Sequence, residues 1–571
     1  MHTPSTEARP SIYYDYEVFQ PWLASAHPKQ DRKKVVIVGS GPAGMVTALE
    51  LARHGVPSVV LSSELQLSQG SRAICFTRRS MEILQQVGVA DRVTASGLPW
   101  RFGNSFYRGQ RVFRMEAPHD NDDRFFPIIN VQQQFMEEYL HDACKANPLI
   151  DFRWGNKVKQ VDQKDGYALL EVDTPEGPYA LESDWVVAAD GGRSGIRSAM
   201  NLQMEGASYE GFFVIADIQI DLPLPTERLA FFDPDWNPGN TILMHREPHG
   251  IWRVDYQLPP GETPEEALRP ESLKSRIDAQ LAMIGHAGAK WEMDWSSVYS
   301  ARTLTLPDFK HGSVIFTGDA AHLLPIFGVR GANTAFQDAQ SLGWHLAFVV
   351  KGLAGPALLT NHSTERVGAA REIITEAGKS TRFMAPPSPG FRLLRDAVLS
   401  LSLTQAFVRP LYHWRTSRPH EYTHSMLNST GDDNALFKSG PAHGAPPQNV
   451  RLGESGGEED FLLDHLGGGF DLLYFTDTDL PEALQQVIHA ARLTGLPLNV
   501  TAIGATQPVA GADQYLPDAN GHLRERYGIP VNEGAMGGAY LLRPDQHICA
   551  RWITLDASRL QAALTNALPQ F

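Results

Sequence analysis

The feature that most constrains the fold lies in residues 35–64, which read VVIVGSGPAGMVTALELARHGVPSVVLSSE. An apolar run at Val35–Val38 predicts a buried strand, and a second strand begins at Val59–Leu61. Between them, a G-x-G-x-x-G turn leads into a helix predicted over Met45–Arg53, which Gly55 ends. The pattern therefore predicts a βαβ unit at the start of an α/β domain.

The three glycines of this turn are typical of a dinucleotide site. Gly39 permits the tight turn, Gly41 lets the backbone approach a pyrophosphate, and Gly44 lets the helix pack closely on the strand. Pro42 and Ala43 complete the turn, and the free N–H groups and dipole of the helix N-terminus favour negative charge. Because the motif has its full strand–turn–helix context, we expect a dinucleotide here rather than an ordinary glycine-rich turn.

The contact to the adenosine ribose is less clearly defined. An acidic residue usually follows the glycines by about twenty residues and binds the ribose hydroxyls. That spacing falls on Ser62, and the first acid is Glu64, two residues later. Glu64 either reaches the ribose through a shifted turn or is a solvated loop carboxylate, and both alternatives remain open.

Further glycine- and aspartate-containing turns follow predicted strands later in the chain. Residues 185–197 read WVVAADGGRSGIR, and residues 313–338 read SVIFTGDAAHLLPIFGVRGANTAFQD. A strand-like segment at Phe125–Asn130 precedes another predicted helix. The candidate cofactor residues in these segments, and in the SRAIC loop after the second strand, are Ser71, Arg72, Gln133, Asp190, Gly191, Gly318, Asp319, Pro325, Gly331, Ala332 and Asn333.

The order and spacing of these motifs resemble the FAD-dependent aromatic hydroxylases (class A flavoprotein monooxygenases) over about residues 34–380. The chain is most similar to the branch of 3-(3-hydroxyphenyl)propionate hydroxylase and phenol hydroxylase. The resemblance implies FAD as cofactor, NADH or NADPH as co-substrate, and dioxygen. Since the sequence carries one nucleotide fingerprint, the nicotinamide is expected to bind transiently.

The resemblance also implies roles for individual residues. The Asp190–Gly191 element touches both FAD and the nicotinamide, Asp319 holds the ribityl chain, and Arg72 and Gln133 contact FAD. Each role has a plain structural alternative. Asp190 caps a turn, Asp319 is the N-cap of the following helix, or Arg72 is a surface charge.

The implied fold class is α/β, with a Rossmann-like FAD-binding domain of the glutathione-reductase type. An antiparallel-sheet substrate domain is inserted in it, and a thioredoxin-like domain follows at the C-terminus. That last domain has no cysteine pair, so redox exchange there is not expected, and a structural or dimerising role is favoured. The predicted boundaries are 1–33 for an N-terminal arm, 34–205 and 301–380 for the FAD-binding domain, 206–300 for the middle domain, 381–456 for a helical segment and linker, and 457–571 for the thioredoxin-like domain.

The charge and cysteine content limit the classes of molecule that the protein is expected to bind. The formal net charge is −15 with no basic tract, which argues against nucleic acid and acidic membrane surfaces. Three widely spaced cysteines favour a reducing, cytoplasmic setting, and no apolar run is long enough to span a bilayer. No cysteine–histidine cluster indicates a metal. We therefore expect a cytoplasmic enzyme with a small aromatic substrate, and the sequence leaves open whether it forms a homodimer.

The implied reaction hydroxylates a phenolic or related aromatic ring through a flavin hydroperoxide. A phenol reacts better once its proton is removed, so a base is expected near its hydroxyl. Phenol hydroxylase has an aspartate in the loop that here reads Ile74–Phe76, which puts that proton route in doubt. The candidates in the middle domain are Asp217, His245, Arg253 and Tyr256.

Each middle-domain candidate carries a chemical hypothesis and a plain alternative. Arg253 would hold a substrate carboxylate in a bidentate fork, and His245 or Tyr256 would relay a proton. The alternative is that these are ordinary sheet-face or ion-paired residues.

Two alternative functions can be compared with hydroxylation by their sequence features. A flavin-dependent halogenase shares the FAD domain but carries a WxWxIP segment, which WEMDW at residues 291–295 does not match. A non-catalytic flavin-binding sensor or binding module would not need the Asp190 and Asp319 elements, whose presence argues against it.

Overall fold

The structure is a computed structural model that describes residues 1–26, 31–70, 72–259, 261–325, 328–412, 419–455, 458–530 and 537–569. Of these, 208–211, 301, 412, 454, 455 and 458 are described by backbone alone. Ser71, one of the predicted cofactor residues, lies outside the described residues.

The first unit is built on a mainly parallel sheet with the strand order β17-β18-β11-β1-β2-β8, extended by the β9–β10 hairpin. Its central strand, β1, is buried, as its unbroken apolar run predicts. The elements up to residue 199 are β1 (Lys33–Val38), α1 (Pro42–Arg53), β2 (Ser58–Leu61), β3 (Cys75–Thr77), α2 (Arg78–Gln86), α3 (Ala90–Ser96), β4 (Leu98–Trp100), β5 (Phe102–Tyr107), β6 (Gln110–Glu116), β7 (Ile128–Asn130), α4 (Gln133–Ala146), β8 (Ile150–Arg153), β9 (Lys157–Lys164), β10 (Tyr167–Thr174), β11 (Gly177–Ala188) and α5 (Gly195–Ala199).

The register of this sheet brings three sequence motifs to one edge. Val38 at the end of β1 pairs with Ala188 at the end of β11, and Ala188 pairs with Phe316 at the end of β18. Because these strands are parallel, the loops that follow them emerge side by side at the carboxyl edge, where α/β sheets bind ligands.

The second unit is a larger, mostly antiparallel sheet with the order β19-β16-β12-β15-β14-β13-β5-β6. One of its faces packs against α7. The sequence analysis placed residues 102–116 in the first unit, whereas β5 and β6 pair into this second sheet. The elements from residue 205 to 402 are β12 (Glu205–Gln219), β13 (Arg228–Phe232), β14 (Thr241–Arg246), β15 (Ile251–Gln257), α6 (Pro264–Ala267), α7 (Pro270–Met283), β16 (Glu292–Thr305), β17 (Lys310–His311), β18 (Val314–Phe316), β19 (His322–Leu323), α8 (Gly331–Val350), α9 (Ala357–Met384) and α10 (Pro389–Ser402).

The third unit contains a five-stranded sheet with the order β24-β23-β22-β25-β26. Strands β22 and β23 are parallel, and β25 and β26 form an antiparallel hairpin beside them. Cys549 is a buried residue of β26. The remaining elements are β20 (Arg451–Ser455), β21 (Glu458–Phe461), β22 (Phe470–Thr476), α11 (Glu482–Leu493), β23 (Leu498–Gly504), β24 (Gln514–Leu516), α12 (His522–Arg526), β25 (Gly538–Leu542), β26 (Ile548–Trp552) and α13 (Ala557–Ala567).

The third unit shares a hydrophobic core with the first. Trp344 and Phe348 of α8 and Leu358 of α9 belong to the same buried cluster as Phe470 of β22 and Trp552 of β26. Such a shared core fixes the two units against each other. Among the described residues, no helix combines the length and apolar character that a membrane crossing requires.

Candidate active site

The glycine turn after β1 is shaped by contacts within the protein. Gly39 has φ +114°, and a Cβ at this position would lie 2.2 Å from the Ala189 carbonyl oxygen. A Cβ on Gly44 would lie 2.0 Å from the Gly39 carbonyl oxygen. A Cβ on Gly318, at the end of β18, would lie 2.9 Å from the Ala43 Cβ. These three positions therefore accept only glycine, because α1 packs directly against the neighbouring turns.

Gly41 differs from these glycines because its Cβ position points into open space. No described atom lies within 4 Å of that position, and Gly41 is the N-cap of α1 with Pro42 following it. The backbone N–H groups of the first helical turn have no partners within the helix. A pyrophosphate can approach them from this side, so the residues present fit the phosphates of FAD.

The chain that follows β2 carries Ser62 and Glu64, the two candidate residues for binding the adenosine ribose. The Ser40 hydroxyl donates a hydrogen bond to the buried Ser62 hydroxyl at 2.7 Å, which joins the glycine turn to β2. The half-exposed Glu64 carboxylate pairs with the Arg9 guanidinium at 3.0 Å. Ser62 and Glu64 both remain predictions for ribose binding.

Asp190 presents a carboxylate at the same edge of the sheet. One oxygen, Oδ2, accepts the Ile196 N–H at 3.2 Å, while Oδ1 is buried with no hydrogen-bond partner in the described part of the chain. Burial raises the pKa of Asp190. The neighbouring Gly191 has φ +80° and open space at its Cβ position. Asp190 thus has an unused acceptor at the place where the resemblance puts the cofactor.

Asp319 follows Gly318 directly and is exposed to solvent. Desolvation raises the pKa of its carboxyl, and the nearby His322 and Arg72 oppose that rise. Thr317, and not Asp319, occupies the N-cap of the short 3-10 turn Gly318–Ala320. The N-cap alternative for Asp319 is therefore not supported.

Asp338, which the sequence analysis did not single out, fixes the Gly318 turn to the helices behind it. Its carboxylate binds His322 Nε2 and Arg366 Nε, each at 2.6 Å, and accepts the Gly318 N–H at 3.3 Å. Burial raises the pKa of Asp338, but Arg366 and His322 outweigh it and hold that pKa below its usual range. Arg366 lies in α9, so this contact ties the Gly318 turn to that helix.

Gln133 shapes the loop that carries Arg72. Its side-chain oxygen accepts the Ala73 N–H at 3.0 Å, and its amide nitrogen donates to Glu137 at 2.7 Å. The other Glu137 oxygen accepts the Ser68 N–H at 2.8 Å. Ser68 and Ala73 are thus anchored to the first turn of α4, and the Arg72 side chain is left exposed to solvent.

Asn333 uses its side chain for the protein's own structure. Its oxygen accepts from the Thr77 N–H at 2.8 Å and the Ser80 hydroxyl at 2.6 Å. Its amide nitrogen donates to the carbonyls of Cys75 at 2.9 Å and Val329 at 2.8 Å.

These contacts leave the backbone of the first α8 turn, beginning at Gly331 and Ala332, as the part suited to an electron-rich ligand. A Cβ on Gly331 would meet no described atom within 4 Å. Pro325 is buried just before residues 326 and 327, which lie outside the description.

In the middle sheet, Arg253 is already bound by a carboxylate of the protein. Its Nε and Nη2 donate to the two oxygens of Asp217, each at 2.8 Å, and both side chains are buried. Asp217 thus occupies the Nε/Nη2 edge of Arg253, which favours the ion-paired alternative over a bidentate clamp on a substrate carboxylate. Asp217 is equally occupied and is not a free base, so the ion-paired alternative holds for both residues.

His245 lies beside Arg253 on the next strand and faces the first unit. The two residues are paired across β14 and β15, and His245 Nδ1 is 3.8 Å from the Cys75 Sγ. Burial, followed by the charges of Arg228 and Arg253, lowers the pKa of His245 well below its ordinary value. His245 is therefore a neutral imidazole at the junction of the two units.

Tyr256 is on the wrong face of the sheet for the role predicted. Side chains alternate along a strand, so Tyr256 and Arg253 of β15 point to opposite sides. Tyr256 packs in the cluster under α7, with its ring 5.7 Å from that of Trp236. The structure thus brings Asp217, His245 and Arg253 together and separates Tyr256 from them.

Several polar residues on the face of Arg253 were missed. Asp255 is two residues beyond Arg253, a spacing that predicts the same face, and this signal was present in the sequence. The other missed residues are Arg228, Glu247 and Tyr299. Tyr299 lies on β16, and the polar sequence of this segment did not indicate a strand.

Comparison with known proteins gives three consistent findings. The family model described as "FAD binding domain" matches residues 32–377. The 3-(3-hydroxy-phenyl)propionate/3-hydroxycinnamic acid hydroxylase of Paraburkholderia xenovorans (strain LB400) is 28% identical over 378 residues, which are 66% of this chain and 60% of that protein. The protein of the same name from Mycolicibacterium smegmatis (strain ATCC 700084 / mc(2)155) is 27% identical over 366 residues, 64% of each chain.

Solved structures share the fold over nearly the whole chain. The flavin-dependent monooxygenase PieE, in complex with FAD and substrate, has a TM-score of 0.79 at 23% identity and covers 94% of this chain and 99% of its own. Aklavinone-11 hydroxylase, in a ternary complex with FAD and aklavinone, has a TM-score of 0.75 at 23% identity and covers 95% of this chain and 100% of its own.

Proposed function

The chain belongs to the FAD binding domain family, and from this membership we infer an FAD-dependent monooxygenase that uses NADH or NADPH and dioxygen to hydroxylate a phenolic or related aromatic substrate. The observation that carries the proposal is the convergence of Gly41, Asp190 and Asp319 at one sheet edge. Bound FAD supplies the hydride acceptance and the activation of dioxygen.

The protein's own residues bind and orient the reactants in this proposal. The Gly41 turn and the α1 N-terminus hold the pyrophosphate, and Asp319 accepts hydrogen bonds from the ribityl hydroxyls. The loop at Arg72 and the N-terminus of α8 would contact the flavin ring. The second sheet, which contacts this loop through Arg253, would help to exclude water from the reacting atoms.

The substrate class rests on the relatives and on the lining of the second sheet. The curated relatives are named for hydroxylation of hydroxyphenyl acids, and this chain spans 60% and 64% of the length of the two described above. On the sheet, Phe213 and Tyr299 stack with ring centroids 5.5 Å apart on the same face as Asp255. An aromatic wall with a few polar groups suits a phenolic ring.

We further propose the predicted architecture of three domains and an N-terminal arm, with a thioredoxin-like third domain that has a structural role. The strand order β23-β22-β25-β26, with a parallel pair beside an antiparallel hairpin, supports this assignment. Within the described part of that domain, Cys549 is buried in a strand, and burial raises the pKa of its thiol to about 12.

The activity test measures oxygen transfer directly. The purified protein is supplied with FAD, NADH or NADPH and a panel of phenols that includes 3-(3-hydroxyphenyl)propionate. We expect one or more phenols to accelerate nicotinamide oxidation and to yield a product heavier by one oxygen atom. A panel in which no phenol accelerates flavin reduction or gains oxygen contradicts the proposed substrate class, and chlorinated product in the presence of chloride would indicate a halogenase instead.

A further inference from the structure

The face of the second sheet that meets the first unit carries a row of charged side chains. The register aligns Asp217 of β12 with Arg253 of β15, and Arg253 with His245 of β14. One step further along the same strands, Asp255 stands between Ile215 and Leu243. Asp255 is thus about 7 Å along β15 from Arg253, on the same face.

This face is joined to the cofactor side by direct contacts. Arg253 Nη1 donates to the Arg72 carbonyl at 3.4 Å, and His245 approaches Cys75 at 3.8 Å. The carbonyl of Cys75 in turn accepts from Asn333 in the first turn of α8. Side chains that neighbour His245 and Arg253 on this face therefore lie on the side of the sheet where the flavin ring is proposed to bind.

Asp255 is the carboxylate of this face that is both reachable and unpaired in the described structure. Asp217 is buried and fully engaged by Arg253, and Glu247 is sealed from solvent. Asp255 is partly exposed, while its Oδ1 is buried with no hydrogen-bond partner in the described residues. Partial exposure on a buried sheet face indicates that Asp255 borders an accessible space, and the Oδ1 atom needs a donor there.

We propose that Asp255 is the catalytic base that accepts the proton of the substrate's phenolic hydroxyl. This inference rests on the proposed function. In the step, the O–H bond of the phenol breaks, its proton moves to the Asp255 carboxylate, and the electron pair stays on the phenolic oxygen. That pair increases the electron density of the ring at the carbon to be oxygenated.

The surrounding charges suit such a step near neutral pH. Desolvation raises the pKa of Asp255 to about 7, with Asp217 adding to the rise and Arg253 and Arg228 opposing it. These two cations also lower the cost of negative charge on the phenolic oxygen.

Burial also shifts the pKa values of the other titratable groups that face Asp255. It raises the pKa of the Cys75 thiol to about 12, and it raises the pKa values of Tyr299 and Glu247 well above their ordinary values. Burial lowers the pKa of His245 well below its ordinary value.

The test compares Asp255→Asn with the wild-type holoenzyme. An asparagine keeps the shape of the side chain but cannot accept the proton. We expect FAD content to be unchanged and the hydroxylation rate to fall by about a hundred-fold, since general-base catalysis contributes about that factor or more. In the wild type the hydroxylation rate should rise as the pH passes through about 7, and in the variant this rise should disappear.

A binding measurement without turnover gives a second readout. For the panel phenol that binds most tightly, calorimetric titration of the FAD-free protein should show affinity increasing through about pH 7, because the ionised Asp255 accepts the phenolic hydrogen. In Asp255→Asn this pH dependence should vanish, and affinity at pH 8 should be weaker by about ten-fold. Asp221→Asn, an exposed acid after β12, serves as the control and should behave as the wild type.

Two further results complete the test. Asp255→Glu, which keeps a carboxylate, should recover part of the hydroxylation rate that Asp255→Asn loses. A ring-fluorinated phenol that is already ionised needs no base, so Asp255→Asn should hydroxylate it at nearly the wild-type rate. Wild-type pH dependence of both rate and affinity in Asp255→Asn would overturn the assignment. If the wild type binds phenols with the expected pH dependence but oxygenates none, the proposed function fails while Asp255 stands as the proton acceptor of the site.

Discussion

At the scale of single residues, Gly41 is a glycine that cofactor binding requires and the fold itself does not. Its φ of −73° and ψ of 177° are open to any residue, and its Cβ position meets no atom of the described protein within 4 Å. Gly39 and Gly44, by contrast, are required by their contacts with neighbouring backbone. A side chain at Gly41 therefore affects the space of the bound pyrophosphate and not the folded chain.

We expect Gly41→Val to abolish flavin binding without destabilising the apoprotein. The added methyl groups occupy the space of the phosphates, so FAD affinity should fall by about a hundred-fold or more, while the free energy of unfolding without FAD should change by about 0.5 kcal/mol or less. Flavin titration and chemical denaturation measure the two quantities. Gly368→Ala, an open position within α9, is the matched control and should retain FAD. Normal FAD affinity in Gly41→Val would contradict the site.

The residue scale also shows where the sequence misled. Arg253 has the chemistry of a carboxylate clamp, but its partner Asp217 lies 36 positions earlier in the chain. Only the pairing of β12 with β15 places these two side chains opposite each other. Tyr256 was excluded by simple alternation from the face of Arg253, whereas the same alternation indicated Asp255.

At the scale of elements, the N-terminal arm holds the loop that leads to Arg72. The Tyr16 hydroxyl accepts the Gly70 N–H at 3.1 Å and donates to the Ser68 carbonyl at 3.3 Å. Arg9 donates to the Leu67 carbonyl and pairs with Glu64. The sequence predicted an N-terminal arm over residues 1–33, and in the described part of this arm Arg9 and Tyr16 contact the loop after β2.

We expect Tyr16→Phe to loosen this loop. The change leaves the buried Gly70 N–H without the hydroxyl, which should cost about 1–3 kcal/mol of unfolding free energy and accelerate FAD release. Denaturation curves and the recovery of flavin fluorescence after dilution measure these effects. Tyr14→Phe is the control, because its partner Glu138 is partly exposed and can be rehydrated. Equal effects of the two changes would show that the arm does not hold the loop through Tyr16.

Elements with strong local signals were predicted well. The strands and the helix of the βαβ unit all appear close to their expected bounds. The hairpin β5–β6 and strand β16 were not assigned to the second sheet, because strand propensity does not reveal which sheet edge a strand will join.

At the scale of the whole molecule, a buried ionic cluster fixes the third unit to the first. Arg543 donates to both oxygens of Glu365 in α9, at 2.7 and 3.1 Å, and to Asp545 at 2.6 Å. Asp545 also accepts from the Trp344 indole of α8 at 2.9 Å. Burial raises the pKa of Glu365, but Arg543 outweighs it and holds that pKa at about 2.

We expect this junction to weaken in acid. The folded-state pKa of Glu365 lies below its ordinary value of 4.5, so its contribution is fully present above about pH 4.5 and is lost as the pH falls toward 2. Unfolding free energies measured across that range should decline, and the decline should be smaller in Glu365→Gln. An equal acid response in wild type and variant would contradict this role.

We also expect Arg543→Met to destabilise the protein by about 3–5 kcal/mol, because it leaves Glu365 and Asp545 buried without their cation. Arg92→Met is the control: Arg92 also pairs with two carboxylates, but at the surface, so its loss should cost about 1 kcal/mol or less. Denaturation of the two variants measures the difference, and similar losses in both would show that the Arg543 cluster does not fix the units together.

The sequence by itself determined the dinucleotide site, because a strand, a glycine turn and a helix N-terminus are consecutive in the chain and depend on local backbone chemistry. Tertiary structure alone decided which polar side chains on different strands meet, which carboxylates are neutralised, and that Asp255 is left reachable. The physical reason is that hydrogen bonding between distant strands sets the register, and the register fixes every cross-strand neighbour.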